Sequence, residues 1–91
     1  MAVEVRIPTI LRTFTGGAKA VQGDGSTLSA VIDDIDVRNP GLKDRLVEAD
    51  EIRRFVNVYV NDEDVRFSGG LSAPTADGDV VVVLPAVAGG A

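Results

Sequence analysis

Three groups of residues in this 91-residue chain have the means for chemistry, and two side-chain types that usually supply it are missing. There is no cysteine and no histidine. Thiol nucleophiles, disulfides, zinc thiolate sites and imidazole acid–base catalysis are therefore excluded, and so is a serine triad of the usual kind. Carboxylate and amine chemistry remain. Asp33, Asp34 and Asp36 form one acidic group, which a solvated helix flank explains, since no oxygen-rich loop surrounds them. Asn61-Asp62-Glu63-Asp64 forms another. It resembles the start of a calcium loop but lacks the central glycine and the distal bidentate glutamate, so no metal is assigned. Arg53-Arg54 suits a phosphate, a partner's acid, or an ordinary exposed charge at the start of a strand. No two of these groups have a spacing that demands catalysis, and no catalytic residue is assigned.

The final stretch, Leu84-Pro85-Ala86-Val87-Ala88-Gly89-Gly90-Ala91, is of another kind. Pro85 has no N–H to give to a ladder, so it is expected to end the strand before it. Beyond it the side chains are small and then absent. Pro85 through Gly90 can reach about 20 Å when extended. An arm so thin can enter a narrow channel of another protein. Chain ends are also often glycine-rich simply because they fray, so the meaning of the arm depends on the body that carries it. The division expected is a domain over residues 1–84 and a flexible extended tail over 85–91.

That body is one domain with a single modest core. Its apolar fraction of 45% suits a globule. A net charge of −5 argues against nucleic acid and against anionic membrane surfaces. It permits docking on a cationic partner, although solubility explains it equally well. The opening Met1-Ala2-Val3-Glu4-Val5-Arg6 alternates charge with apolar residues and is no signal peptide, and no apolar run nears the ~20 residues of a membrane span. With the absence of cysteine this agrees with a cytoplasmic chain.

The elements follow from periodicity. Val3, Val5 and Ile7 alternate with polar residues, a strand with one buried face. A long irregular tip with Gly16-Gly17 leads to a return strand near Lys19–Gln22, and Gly23-Asp24-Gly25-Ser26 reads as a turn. Leu28, Val31, Ile32 and Ile35 mark one helix face, with Thr27 as its N-cap. Leu42, Leu46 and Val47 suggest a second short helix, followed by an acidic connector, Glu48–Glu51. Phe55–Val60 is the clearest strand, with its valines inward and Phe55, Asn57 and Tyr59 outward. A turn over Asn61–Asp64, a short edge strand Val65–Phe67 and a loop anchored by Leu71 come next. Asp77-Gly78-Asp79 is a tight turn into Val80–Leu84, a strand either covered on both faces or awaiting a partner on one.

The first and last strands are the most apolar. Set side by side in mid-sheet they are parallel, with the main helix as crossover. The expected fold is α+β, a ubiquitin-like β-grasp. It has a mixed sheet of four to five strands, one main helix on one face and a flexible C-terminal tail. On the Val60-Asn61 strand end, the Asp77-Gly78-Asp79 turn, the short apolar strand, Pro85 and the Gly89-Gly90 end, the chain resembles the ThiS/MoaD group of ubiquitin-like sulfur carriers. Phe55–Phe67 and Ile7–Arg12 resemble its cysteine-synthesis branch more particularly.

The resemblance implies a carrier with no catalytic residue and no bound cofactor. In such carriers an ATP-using, ubiquitin-activating-like adenylyltransferase converts the terminal glycine carboxylate to an acyl-adenylate, and a sulfur donor displaces AMP to leave a thiocarboxylate. Gly90 would carry the sulfur, Gly89 would keep the adjoining backbone thin, and Val87 and Ala88 would line the partner's channel. Phe55 and Tyr59 would form the partner-binding surface. The implied partners are that activating enzyme, a PLP-dependent cysteine-synthase-like enzyme and a metal-dependent peptidase. Ala91 departs from the pattern, because it leaves Gly90 as an amide, and trimming of a precursor is expected. A protein modifier joined to targets through Gly90, and an inert β-grasp binding module, are the alternatives.

Overall fold

Alternation along the first strand, β1 (Ala2–Arg6), buries Val3 and Val5 and leaves Ala2 and Arg6 exposed. The computed structural model describes residues 2–85, and Met1 and residues 86–91 lie outside the described residues. After Pro8 the chain winds into a 3-10 helix, Thr9–Thr15, where an irregular tip was expected, and leaves it through Gly16 at φ 67°. The return strand, β2 (Ala20–Asp24), pairs antiparallel with β1 and sets Val5 opposite Val21. Gly23 and Asp24 thus belong to a strand and not to a turn.

The main helix, α1 (Leu28–Arg38), begins as expected: the Thr27 hydroxyl accepts a hydrogen bond from the Ala30 N–H. Leu28, Val31, Ile32 and Ile35 are all buried. Each such side chain contributes roughly 1.5–3 kcal/mol relative to exposure. Asp34 and Asp36 fall off that face and tie the helix to its surroundings. Asp34 pairs with Arg38 at 2.9 Å, and Asp36 accepts the Lys43 N–H at 3.0 Å. A one-turn helix, α2 (Leu42–Leu46), buries Leu42 and Leu46.

Val47 leaves that helix, contrary to expectation, and starts a small hairpin. β3 (Val47–Glu48) and β4 (Glu51–Ile52) pair across Ala49 and Asp50, both at positive φ. The acidic connector is therefore structured. β5 (Val56–Val60) buries Val56 and Val58. Phe55 stands before it, because the Val56 N–H donates to the Arg53 carbonyl and closes a turn. β6 (Glu63–Asp64) is the short edge strand. Val65–Phe67, expected to be that edge, is a 3-10 turn capped by the Asp64 carboxylate and buries Val65. Leu71 is half-buried against the core.

The last strand, β7 (Val80–Pro85), takes the middle of a five-stranded sheet in the order β2-β1-β7-β5-β6. It runs parallel to β1, with Val81 beside Val5, and antiparallel to β5, with Val83 beside Val58. The inner valines, Val81 and Val83, join Val3, Val5, Val58 and the α1 face in one core. This is the ubiquitin-like β-grasp predicted from the sequence, with α1 packed on one face only.

Candidate functional site

What this fold positions is the end of β7. At its start the strand is clamped. Asn61, first residue after β5, has an amide side chain that donates to Asp79 Oδ1 at 2.9 Å and accepts the Val80 N–H at 3.0 Å. The Asn61 N–H donates to the Val80 carbonyl at 2.9 Å. The Ala76 N–H reaches Asp79 Oδ2 at 2.8 Å, which closes the turn around Gly78 at φ 88°. These bonds hold the Asp79 carboxyl below the usual carboxylate range, the Asn61 amide first and the Ala76 N–H second. From the other side the Ala2 N–H donates to Asp77 Oδ1 at 2.9 Å. Two of the segments that carry the resemblance, Val60-Asn61 and Asp77-Gly78-Asp79, are thus the two halves of one clasp.

At its far end β7 runs one residue further than expected. Pro85 sits in the strand, opposite Val56. A proline is tolerated at this last position because the ladder asks nothing further of its missing N–H. Val87, Ala88, Gly89, Gly90 and Ala91 lie outside the described residues, and so does the expected tail.

Around Pro85 the surface opens into a cleft of about 820 Å³. Its apolar lining includes Pro85, Val56, Phe55, Phe14 and Ile10, and three arginines, Arg45, Arg53 and Arg54, line it too. Arg45 stacks over the Phe14 ring at 5.4 Å. Arg53 donates to the Asp44 carbonyl at 2.7 Å and pairs with Glu48 at 3.3 Å. Arg54 makes no ion pair or hydrogen bond among the described residues. The arginine pair therefore lies in the turn before β5 and not at a strand's start.

Phe55 and Tyr59, assigned together from the sequence, occupy different places. Phe55 is 55% exposed and lines the cleft. Tyr59 is half-buried in β5, beside Val82 and Asp64, and is not part of the cleft. It belongs to the outer sheet face with Val80, Val82 and Leu84, which α1 does not cover. Asn57 on that face is held by Arg66 Nη1 at 2.8 Å. The acidic stretches assemble no metal centre: no group of three or more candidate ligands exists among the described residues. No helix among those residues is long and apolar enough to cross a membrane. Sequence reasoning missed the cleft, because residues from four separated segments build it. Only the run Arg53-Arg54-Phe55 signalled it.

Comparison with known proteins bears on what this geometry serves. The model of the ThiS family matches residues 5–90. The sulfur carrier protein CysO of Mycobacterium tuberculosis is 57% identical over 93 aligned positions, covering 99% of this chain and all of the relative. Small archaeal modifier protein 3 of Haloferax volcanii is 37% identical, with 99% of this chain and all of the relative covered. Among solved structures, the crystal structure of the Amycolatopsis orientalis BexX/CysO complex superposes with a TM-score of 0.93 at 61% identity, covering 98% of this chain and 100% of that one.

Proposed function

The chain belongs to the ThiS family, and from that premise we propose that it is a sulfur carrier protein of cysteine biosynthesis, a substrate of enzymes and not itself a catalyst. The observation that carries this reading is the 57% identity to a sulfur carrier over the whole length. The fold is consistent with it. A central strand clasped at Asn61 and Asp79 delivers Pro85 to the surface, five residues before Gly90.

Gly90 carries the sulfur. Its carboxylate is a poor electrophile, so attack on ATP by a carboxylate oxygen first forms an acyl-adenylate and releases pyrophosphate. A sulfur donor then adds at the carbonyl, AMP leaves, and a thiocarboxylate remains. ATP is used by the activating adenylyltransferase, and the carrier binds no cofactor. A chain without cysteine cannot hold the sulfur as its own persulfide. Gly90 has no Cβ to obstruct the attack or the passage through a channel. Gly89, Ala88 and Val87 thread that channel. Because Gly90 is joined to Ala91 by an amide, a metal-dependent peptidase must free it first. A PLP-dependent cysteine-synthase-like enzyme receives the sulfur. Phe55 in the cleft and Tyr59 on the outer sheet face present the body to these cytoplasmic partners. The complex of a CysO with BexX supports such docking for this chain.

The test is incubation of the chain trimmed to Gly90 with ATP, a sulfide source and its activating enzyme. Intact mass should show one oxygen replaced by sulfur, and loss of Gly89-Gly90 should abolish the change while the domain still unfolds cooperatively. An unchanged mass would sink the reading. The 37% identity to an archaeal modifier favours a second reading, conjugation of Gly90 to lysines of other proteins. A ladder of high-mass conjugates in a blot of the native cell would select it.

A further inference from the structure

The cleft at the end of β7 carries a charge opposite to that of the molecule. The chain is −5 overall, yet three arginines line this cleft and Glu48 is its one carboxylate among the described residues. That carboxylate is already engaged by Arg53. Arg45 rests on an aromatic ring, which holds the guanidinium in place without neutralising it. Arg54 has no partner among the described residues. Beside these arginines, Ile10 is 67% exposed and Phe55 is 55% exposed. Exposed apolar side chains and three guanidinium groups around one hollow form a surface complementary to an acidic, apolar-tipped one.

The chain itself limits what can cover this surface. Pro85 lines the cleft, and Gly90 is five residues further on, about 17 Å at full extension. A protein that draws Gly90 into its interior must bring the mouth of its channel within that reach. We propose that the cleft is the docking seat for the rim of the tail-accepting channel on the activating enzyme, and that this rim is acidic with an apolar side chain at its centre. The inference rests on the sulfur-carrier reading. Arg45 and Arg54 bind the carboxylates of the rim, and Ile10, Phe14 and Phe55 receive its apolar side chain. The net negative charge of the chain suggests the opposite partner. It does not decide the matter, because screening over about 8 Å at physiological ionic strength lets the local arginines dominate at contact. Guanidinium–carboxylate pairing is bidentate and directional, so it fixes the angle at which the tail enters.

The experiment is steady-state sulfur loading of the chain trimmed to Gly90, with ATP, sulfide and the activating enzyme, read by intact mass. Loading of the wild type comes first, and its failure overturns the carrier reading itself. Where the wild type loads, Arg54→Glu should raise KM for the carrier about tenfold and leave kcat within about twofold, the pattern of lost binding common to ground and transition states. The wild-type KM should climb with added salt, and that of the variant, which keeps Arg45, should climb less steeply. Folding is not in question, because Arg54 makes no bond among the described residues, and an unchanged melting curve checks it. Lys19→Glu makes the same change in net charge outside the cleft and should leave KM unchanged. Equal effects of the two reversals, or no effect of Arg54→Glu, would overturn the docking seat. So would self-association of the chain that Phe55→Asp abolishes, since a second copy would then own the cleft.

Discussion

Asn61 shows how much one side chain can fix. Its amide donates to Asp79 and accepts from Val80, so a single residue joins the end of β5 to the beginning of β7. Either partner alone was visible in the sequence, Val60-Asn61 as a strand end and Asp77-Gly78-Asp79 as a turn. Their bond was not, because nothing in a pattern of residue types pairs two sites 18 positions apart. The carboxyl of Asp79 reports the clasp directly. Its pKa is depressed because the folded state hydrogen-bonds the ionised form. A depressed value contributes stability that is fully present above the unfolded-state pKa and is lost as pH falls through the folded-state pKa. Asn61→Ala removes the larger of the two causes. An NMR titration should then find the Asp79 pKa moved up toward the ordinary carboxylate value, and acid unfolding should begin at a less acidic pH. An unmoved Asp79 would mean that the Ala76 N–H alone sets it.

At the scale of elements, helix and strand were legible where burial is periodic. Thr27 followed by Leu28, Val31, Ile32 and Ile35 left little choice about α1, and its cap is as expected. Elements set by backbone geometry were not legible. The β3–β4 hairpin turns through Ala49 at φ 53° and Asp50 at φ 62°, and neither the alanine nor an acidic run signals such a turn. Gly23 and Gly25 look like turn residues in the sequence for the same reason. Their role is close approach. A Cβ on Gly23 would stand 2.8 Å from Val31 Cγ1, and one on Gly25 would stand 2.7 Å from the Val31 backbone nitrogen. The first neighbour is a side chain on a packed helix, and the second is main chain that cannot yield. Gly25→Ala should therefore push α1 away from β2 and cost roughly 1–3 kcal/mol by overpacking, read as a lower urea midpoint at unchanged slope. A midpoint equal to wild type would show that the helix start moves freely.

At the scale of the whole molecule, the described residues form a sheet covered on one side, and that settles what the sequence left open about β7. A run of four valines and a leucine fits a strand buried on both faces or a strand with one face free. Parity alone cannot choose, because every position is apolar. Packing does: Val81 is 1% and Val83 3% exposed under α1, while Val82 is half-buried and Leu84 is 46% exposed on the uncovered face. The fold was legible because a helix separates an opening strand from a closing one, which lets β1 and β7 lie side by side and parallel. The cleft beside Pro85 was not, since its walls come from the 3-10 segment, α2, the turn before β5 and β7 itself. Adjacent valines should accordingly behave as if in different proteins. Val81→Ala should cost about 1.5–3 kcal/mol, from two buried methyl groups at about 0.8 kcal/mol each and the cavity they leave. Val82→Ala should cost less than about 1 kcal/mol, the span of strand propensity at a half-exposed site. Sulfur loading gives the second coordinate. Val81→Ala loads normally under conditions where it is folded, because its side chain faces only the core. Equal losses of stability for the two variants would mean that the outer face is covered as well, and β7 would then be a doubly buried strand with no face to offer an enzyme.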